Sequence, residues 1–456
     1  MNLNRKRIAA MLAGTAVYAA VPPPGFAWPF DQYPLSVVVQ GGTAVTDFIP
    51  ERHINPACYL GARYFVDVAK GNDTNAGTSL AAPVKSIWKA FSLGNATGAA
   101  YRVTIVAGVY PRANGWTNNG SAIPNQHVVV DTLGGTVITG PFDALAWGSA
   151  DATYTNSYKV SRAGVCRVFD LTTTDAFGQY VELVNVADAA TCNTTPGSWA
   201  QVGSDLYVRR ADGAAVTNAN TRAYLTVDNL ILNGTSGDLF VRNVVFEGGP
   251  TGAARIFGTV ANVTPRKAIF VNCRALYSGQ ASGVANGMRV YDYKGLVAFV
   301  GCSGMANSQD GFNAHYNLAD SGSLYLLTVN CEGVDNGRYN SQSNQGLTIH
   351  ESVVAIDING HYAWNHGGNI RNINQSQMWV ICPRCHDDVG DVAMGGTVTP
   401  TDIFADDQAR IWVDGGTSGG SATSLRASGT SVLLYRNHTT HGGGNICGTN
   451  AQLGAY

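Results

Sequence analysis

The sequence predicts an all-β chain wound into a parallel β-helix, and three observations carry that prediction. Cys273, Cys302 and Cys331 recur at intervals of 29 residues, each following a β-prone, half-apolar triplet in FVNC, FVGC and TVNC. A period of this size marks stacked copies of one supersecondary unit, with the cysteine pointing the same way in each. At 456 residues the chain also exceeds one ordinary globular core, so it is either several domains or an elongated array, and the cysteine period favours the array. Finally, only 13 % of residues are charged and 54 are glycine, which suits many short strands joined by tight bends.

The elements follow in order. Residues 1–57 carry prolines and no repeat, and are expected to form an attachment arm. Arg5, Lys6 and Arg7 precede an apolar run from Ile8 to Val21, then Pro22–Pro24 and Ala27, as in a secretory signal. A cleaved signal and a retained assembly segment both stay open; the run is too short for a membrane span. The coil is expected to start over residues 58–142, with a strand at Tyr64–Val68, a Gly/Asn/Asp turn, and a short helix from Pro83 to Phe91 covering the open first rung. Strands are expected at Arg102–Ala107, Val128–Asp131 and Thr136–Thr139. Residues 143–225 break the rhythm and read as a β-rich lateral insertion, in which WAQVGSDLYVRRADG makes two strands around a Gly-Ser turn. The main coil is expected over 226–445, and 446–456 as a tail.

Within the main coil a register can be written out. One strand per rung reads LFVRNVVF (239–246), AIFVNC (268–273), LVAFVGC (296–302) and LYLLTVNC (324–331), and continues to SVLLYRN (431–437). Another reads NGMRVYD (286–292), DGFNAHY (310–316), QGLTIHE (345–351) and GNIRNIN (368–374). Alternation sends Met288, Phe312, Leu347 and Ile370 inward and turns Arg289, Asn313, Thr348 and Arg371 outward. The loops between these strands differ in length, so the strands repeat while the loops do not. About a dozen rungs at ~4.8 Å each make a rod roughly 60 Å long, with a shallow side face suited to a polymer.

The second of these strands gathers polar and aromatic groups on its outer face. Two residues beyond the outward position come Tyr291, His315 and His350, followed by Asp292, Tyr316 and Glu351. Stacking places His315 about one rung from His350, beside Arg289 and Arg371. The neighbouring loops add NGRYNSQSN with Tyr339, and HYAWNHGGN with His361, Tyr362, Trp364 and His366, expected at the same edge. Aromatic rings beside amide and imidazole donors are what sugar binding uses.

The stretch YFVDVAKGNDTNAGTSLAAPVKSIWKAF resembles the start of right-handed parallel β-helix proteins of the pectate-lyase-like superfamily. SQDGFNAHYN, SNQGLTIHES, NGHYAWNHGGNIRNINQSQMW and CHDDVGD resemble bacterial and phage-encoded β-helix proteins of the tailspike and polysaccharide-degrading type. The resemblance covers about residues 60–400 and is strongest from Asp310 to Asp391. It implies a right-handed coil, a bacterial surface polysaccharide as partner, and a homotrimer joined to a phage tail or baseplate protein through residues 1–57, located in the virion tail. A secreted or periplasmic polysaccharide lyase or hydrolase is the alternative, and a non-enzymatic adhesin or fibre the third reading.

Two chemistries suit such a face. Hydrolysis of a glycosidic bond needs two carboxyl groups, for which Asp310, Glu351, Asp387, Asp388 and Asp391 are candidates. Elimination at a uronic acid needs a base, His315 or His350, and a cation, Arg371 or Arg289. Catalysis is therefore placed on Asp310, His315, His350, Glu351, Arg371 and Asp387. Binding is placed on Arg289, Tyr291, Asn313, Tyr316, Tyr339, His361, Tyr362, Trp364 and His366.

No cofactor and no metal site are expected. In CPRCH, Cys382, Cys385 and His386 supply soft ligands, but adjacent Cys385 and His386 point to opposite sides of an extended strand. Asp387, Asp388 and Asp391 read as a solvated acidic loop. Among the nine cysteines, the ladder thiols are expected free and buried, while Cys166 and Cys192 flank one β-rich segment and could pair. A net charge of −2 offers no attraction for nucleic acid or anionic lipid.

Overall fold

The computed structural model describes residues 17–456 apart from 60, 117–121, 235–236, 259–263, 280–284, 318–322, 339–343, 391–395 and 398. Their backbone forms a parallel β-helix with three sheets around one apolar core. A first sheet stacks Leu239–Arg242, Arg266–Val271, Gly295–Val300, Leu324–Val329, Val354–Ile358, Gln377–Ile381, Arg410–Asp414, Val432–Arg436 and Gln452–Ala455. A second stacks shorter strands, from Val244–Glu247 through Glu332–Val334, His361–Ala363 and Arg384–His386 to Thr439–His441. The third runs through nine parallel strands from Leu230–Gly234 to Gly444–Cys447, including Asn286–Tyr291, Phe312–His315, Asn344–Ile349, Gly367–Asn372 and Thr401–Ala405.

The 29-residue period is set by the corners. Asn243, Asn272, Gly301, Asn330 and Asn359 take left-handed backbone, φ between +51° and +61°, where the chain turns from first sheet to second. Asparagine and glycine tolerate this region best. Each of Cys273, Cys302 and Cys331 then turns into the core, and the Cys302 Sγ accepts from the Cys273 N–H at 3.4 Å. All nine cysteines are free, Cys166 and Cys192 included.

A second ladder, of asparagines, holds the opposite corner. The Asn307 side chain donates to Ala275 O at 3.1 Å and to Asn336 Oδ1 at 3.0 Å. Asn336 donates to Gly304 O and Asn365 Oδ1, and Asn365 to Gly333 O. These side chains are buried and satisfy carbonyls that the turn leaves unpaired.

The inward residues of the third sheet, Met288, Phe312, Leu347 and Ile370, all join the central core, as the alternation predicts. The helix near the start spans Ile87–Asn95, later than expected, because Pro83 and Val84 stay extended and Val84 bridges to Val66. Its buried face of Ile87, Ala90, Phe91 and Gly94 packs on the first rung, with Phe91 against Trp116. Val128–Thr139 is one long strand serving both first and second sheets, not two separate ones.

Between residues 158 and 225 lie a four-stranded and a three-stranded sheet. In the four-stranded sheet Ser198–Val202 and Asp205–Arg209 pair antiparallel around Gly203 and Ser204. At the far end, Gln452–Ala455 pairs with Val432–Arg436, so residues 446–456 belong to the coil where a tail was expected.

Residues 17–58, expected as an arm, lie against the outer face of the first sheet. That face is apolar: Phe240, Ile269, Ala298, Leu327, Ile356, Trp379 and Trp412 stack in register and are buried under Ala20, Trp28, Tyr33, Val37, Val39 and Ile54. Polar ties seal the contact, with the Tyr18 hydroxyl donating to Asp414 at 3.0 Å and Ala44 exchanging two bonds with the Asn359 side chain.

Candidate functional site

The third sheet builds an outer column of rings. Phe257, Tyr291 and His315 are cross-strand neighbours, and His350 follows one rung later. Phe257 and Tyr291 stack at 5.6 Å between centroids and 6° between planes. His315 and His350 stack at 3.9 Å and 11°. Such close stacking needs at least one neutral ring, and burial, with His315 and Arg371 adding to it, pushes the His350 imidazole down to about 2. His350 is therefore a neutral ring that packs against His315.

His315 turns its Nδ1 to Glu351, 3.1 Å from Oε2 and 3.3 Å from Oε1. Glu351 takes left-handed backbone, φ +53°, at the corner from third sheet to first. This places its carboxyl group both beside His315 and at the head of an open groove of about 820 Å³. The groove follows that corner along several rungs, past Tyr316, Glu351, Asn374, Gln375, Asp407 and Gln408. Asn374 accepts from the Glu351 N–H at 3.3 Å through Oδ1, and its own side-chain N–H donates to Asp407 Oδ2 at 3.2 Å. Glu351 and Asp407 thus stand two rungs apart, about 9.6 Å of rise. His315, His350 and Glu351 bring their ligand atoms within 4.8 Å of one another, a set that suits a divalent metal by donor type. There the Glu351 carboxylate already receives His315.

Several expected site residues stand elsewhere. Asp310 is buried, accepting from the Gln345 N–H at 2.8 Å and the Asn313 side chain at 2.7 Å, and burial raises its carboxyl to about 6. It fixes the turn into the strand and cannot reach a ligand, and Asn313 is buried with it. Tyr362 is inside the coil, donating to Asp357 at 2.8 Å, because its position alternates inward. His361 lies on the second sheet, with Trp364 and Asp387 at the corner that follows, so they belong to a different face from His315. His366 lies beyond that corner, 3.9 Å from Asp335 and lowered to about 4 by burial. Asp388 is a buried turn residue, accepting from the Thr401 N–H at 2.6 Å. Tyr339 and Asp391 fall outside the described residues.

The cations are engaged. Arg371 pairs with Asp406 at 2.6 Å and lies over the Phe404 ring. Arg289 donates to Thr251 O at 3.2 Å, half-covered beside Tyr291. Neither lines the groove. Tyr316 does, with its ring buried in the coil. Asp407 was missed because its signal is positional: it follows Glu351 and Asn374 at the left-handed corner, which is visible only once unequal loops are aligned.

No family model matches the chain, and no curated protein matches its sequence. Solved structures similar to it include one described as a glycoside hydrolase, at 8 % identity and TM-score 0.45 over 86 % of this chain and 96 % of that one. Another is XylC in complex with xylose, at 10 % identity and TM-score 0.45 over 85 % and 69 %. A third is pectate lyase Pel9A, at 14 % identity and TM-score 0.37 over 85 % and 78 %.

Proposed function

We propose that the protein binds a polysaccharide along the corner between third and first sheets and hydrolyses it between Glu351 and Asp407. The observation that carries this reading is the groove itself, which is open, runs along the coil, and is lined by two carboxyl groups, amides and a tyrosine. Hydrolysis needs one carboxyl group to protonate the leaving oxygen and another to activate water, and a separation of roughly 6.5–9.5 Å accommodates that water with inversion. Two rungs of backbone rise, about 9.6 Å, lie just above that range. Elimination would need a cation at the uronate, and none of the described groove-lining residues is Lys or Arg. His315, bonded to Glu351, sets the direction of that carboxyl group.

The setting we propose is a phage tail spike or fibre gripping a bacterial surface polysaccharide, as a homotrimer joined to the tail through its N-terminal segment. A long coil with a polar side groove supports it. Light scattering that returned a stable single copy would overturn the spike assembly and leave a secreted or periplasmic hydrolase.

The reaction is tested by incubating the protein with bacterial surface polysaccharides. New reducing ends without ultraviolet-absorbing unsaturated uronates are expected, and are abolished in Glu351→Gln. Unsaturated ends would replace hydrolysis with elimination, and binding without cleavage would leave a receptor-binding rod.

A further inference from the structure

On the second sheet, away from the groove, His361 and His386 point their rings at each other from adjacent rungs. His361 pairs with Arg384 across the ladder, and His386 lies two residues further along the same outer face. Their Nε2 atoms are 3.0 Å apart and the rings 5.2 Å between centroids. Each ring has a carboxylate behind it at the other nitrogen. His386 Nδ1 is 2.9 Å from Asp387 Oδ2, and His361 Nδ1 is 3.7 Å from Glu332 Oε1.

This arrangement can be held by one ring's Nε2–H donating to the other, or by a metal ion between the two nitrogens. When each Nδ1 carries its proton toward the carboxylate behind it, both Nε2 atoms present lone pairs to each other 3.0 Å apart. We propose that the pair binds a late first-row divalent metal, zinc or copper, through the two Nε2 atoms. Imidazole suits these ions, and carboxylates on the far nitrogens are the usual means of fixing tautomer and orientation. Two imidazoles bound at about 2.0–2.1 Å on a tetrahedral ion have their nitrogens about 3.3 Å apart, so opening the pair by a few tenths of an ångström suffices. A cleft of about 330 Å³ opens beside His361, lined by Thr43, Glu332, Asn359 and Arg384. Glu332 offsets the charges of Arg384 and Arg274 nearby.

The CPRCH segment contributes only His386 to this site. Cys385 points into the core and Cys382 lies beneath the N-terminal segment. The partner comes from 25 residues upstream, one rung below.

The test is equilibrium dialysis of the full chain against zinc chloride and, separately, copper sulfate. One ion per chain is expected at this pair, with affinity falling at least tenfold in His361→Ala and in His386→Ala, and about 10–100-fold in Asp387→Asn. Circular dichroism checks that the variants keep the coil. His315→Ala serves as the control for the other imidazole cluster and is expected to leave uptake at the pair unchanged. No uptake by the wild-type chain would overturn the proposal and leave a shared proton between the rings. Uptake that survives the His361→Ala/His386→Ala double variant, or that disappears with His315→Ala, would overturn it by placing the ion elsewhere.

Discussion

Glu351 and Asp407 occupy the same corner of the coil two rungs apart, and Asn374 is hydrogen-bonded to both. Their spacing is therefore fixed by backbone stacking, and a substitution that keeps shape but removes the acid tests the chemistry alone. Glu351→Gln and Asp407→Asn are each expected to lower the rate of polysaccharide cleavage by about 10²–10⁴-fold, the usual worth of one acid or base. Retention on immobilised polysaccharide is expected to be unchanged. Equal losses of cleavage and binding in both variants would show that these groups only hold the ligand.

His350 gives the fold a pH dependence of definite sign. Its imidazole ordinarily titrates near 6.5 and is lowered by burial to about 2. Between those values the unfolded chain binds a proton that the folded chain does not, so stability is lost as pH falls below about 6.5. His350→Gln removes this contribution. The difference in unfolding free energy between wild type and variant, from urea titrations, is expected to shift in favour of the variant on going from pH 7 to pH 5, by roughly 1–2 kcal/mol. A difference that stays constant would mean that His350 is protonated in the folded protein.

The inward face of the third sheet was legible because alternation is a property of each strand alone: Met288, Phe312, Leu347 and Ile370 needed no knowledge of their neighbours, whereas Asn313 and Thr348, expected to face out, are buried. The pairing of His315 with His350 was legible for the same reason, since the two strands share a motif. What stayed hidden depends on corners. Tyr362 and His361 are adjacent in sequence and read as one aromatic patch, yet the first points into the core and the second out of the second sheet. Asp407 lies 56 residues after Glu351 across two loops of unequal length, so no fixed period connects them. The covering of the first sheet did have a signal, because its strands are apolar on both faces, the mark of a strand buried on both sides.

Asp357 is a buried acid whose titration runs opposite to that of His350. It accepts from Thr328 at 2.5 Å and Tyr362 at 2.8 Å. Burial raises its carboxyl to about 6. Between about 4 and 6 the folded chain binds the extra proton, so this contribution is present at low pH and is lost as pH rises through 6. Asp357→Asn keeps the acceptor oxygen and never ionises. It is expected to gain stability relative to wild type between pH 5 and pH 8, on the order of 1–3 kcal/mol in denaturant unfolding. No relative gain would show that the carboxylate is stabilised in its charged form.

The N-terminal segment gives the last prediction. Residues 17–58 cover the outward row of Phe240, Ile269, Leu327, Ile356, Trp379 and Trp412, with Phe26 edge-on to both tryptophans at 6.0 and 5.8 Å. Arg242 pairs with Glu51, and Lys267 donates to His53 O at 3.1 Å, so the segment is tied on at several rungs. The coil closes its own backbone hydrogen bonds without it, since the first-sheet strands pair with one another. Deleting residues 1–58 should therefore leave the β-sheet circular dichroism in place while exposing a contiguous apolar strip, which monomeric proteins rarely show. The truncated chain is expected to bind a hydrophobic dye and to self-associate in light scattering, whereas Glu51→Gln, which removes one tie, is not. A truncated chain that stayed dispersed with no dye binding and an unchanged melting temperature would mean that the segment does not protect this face.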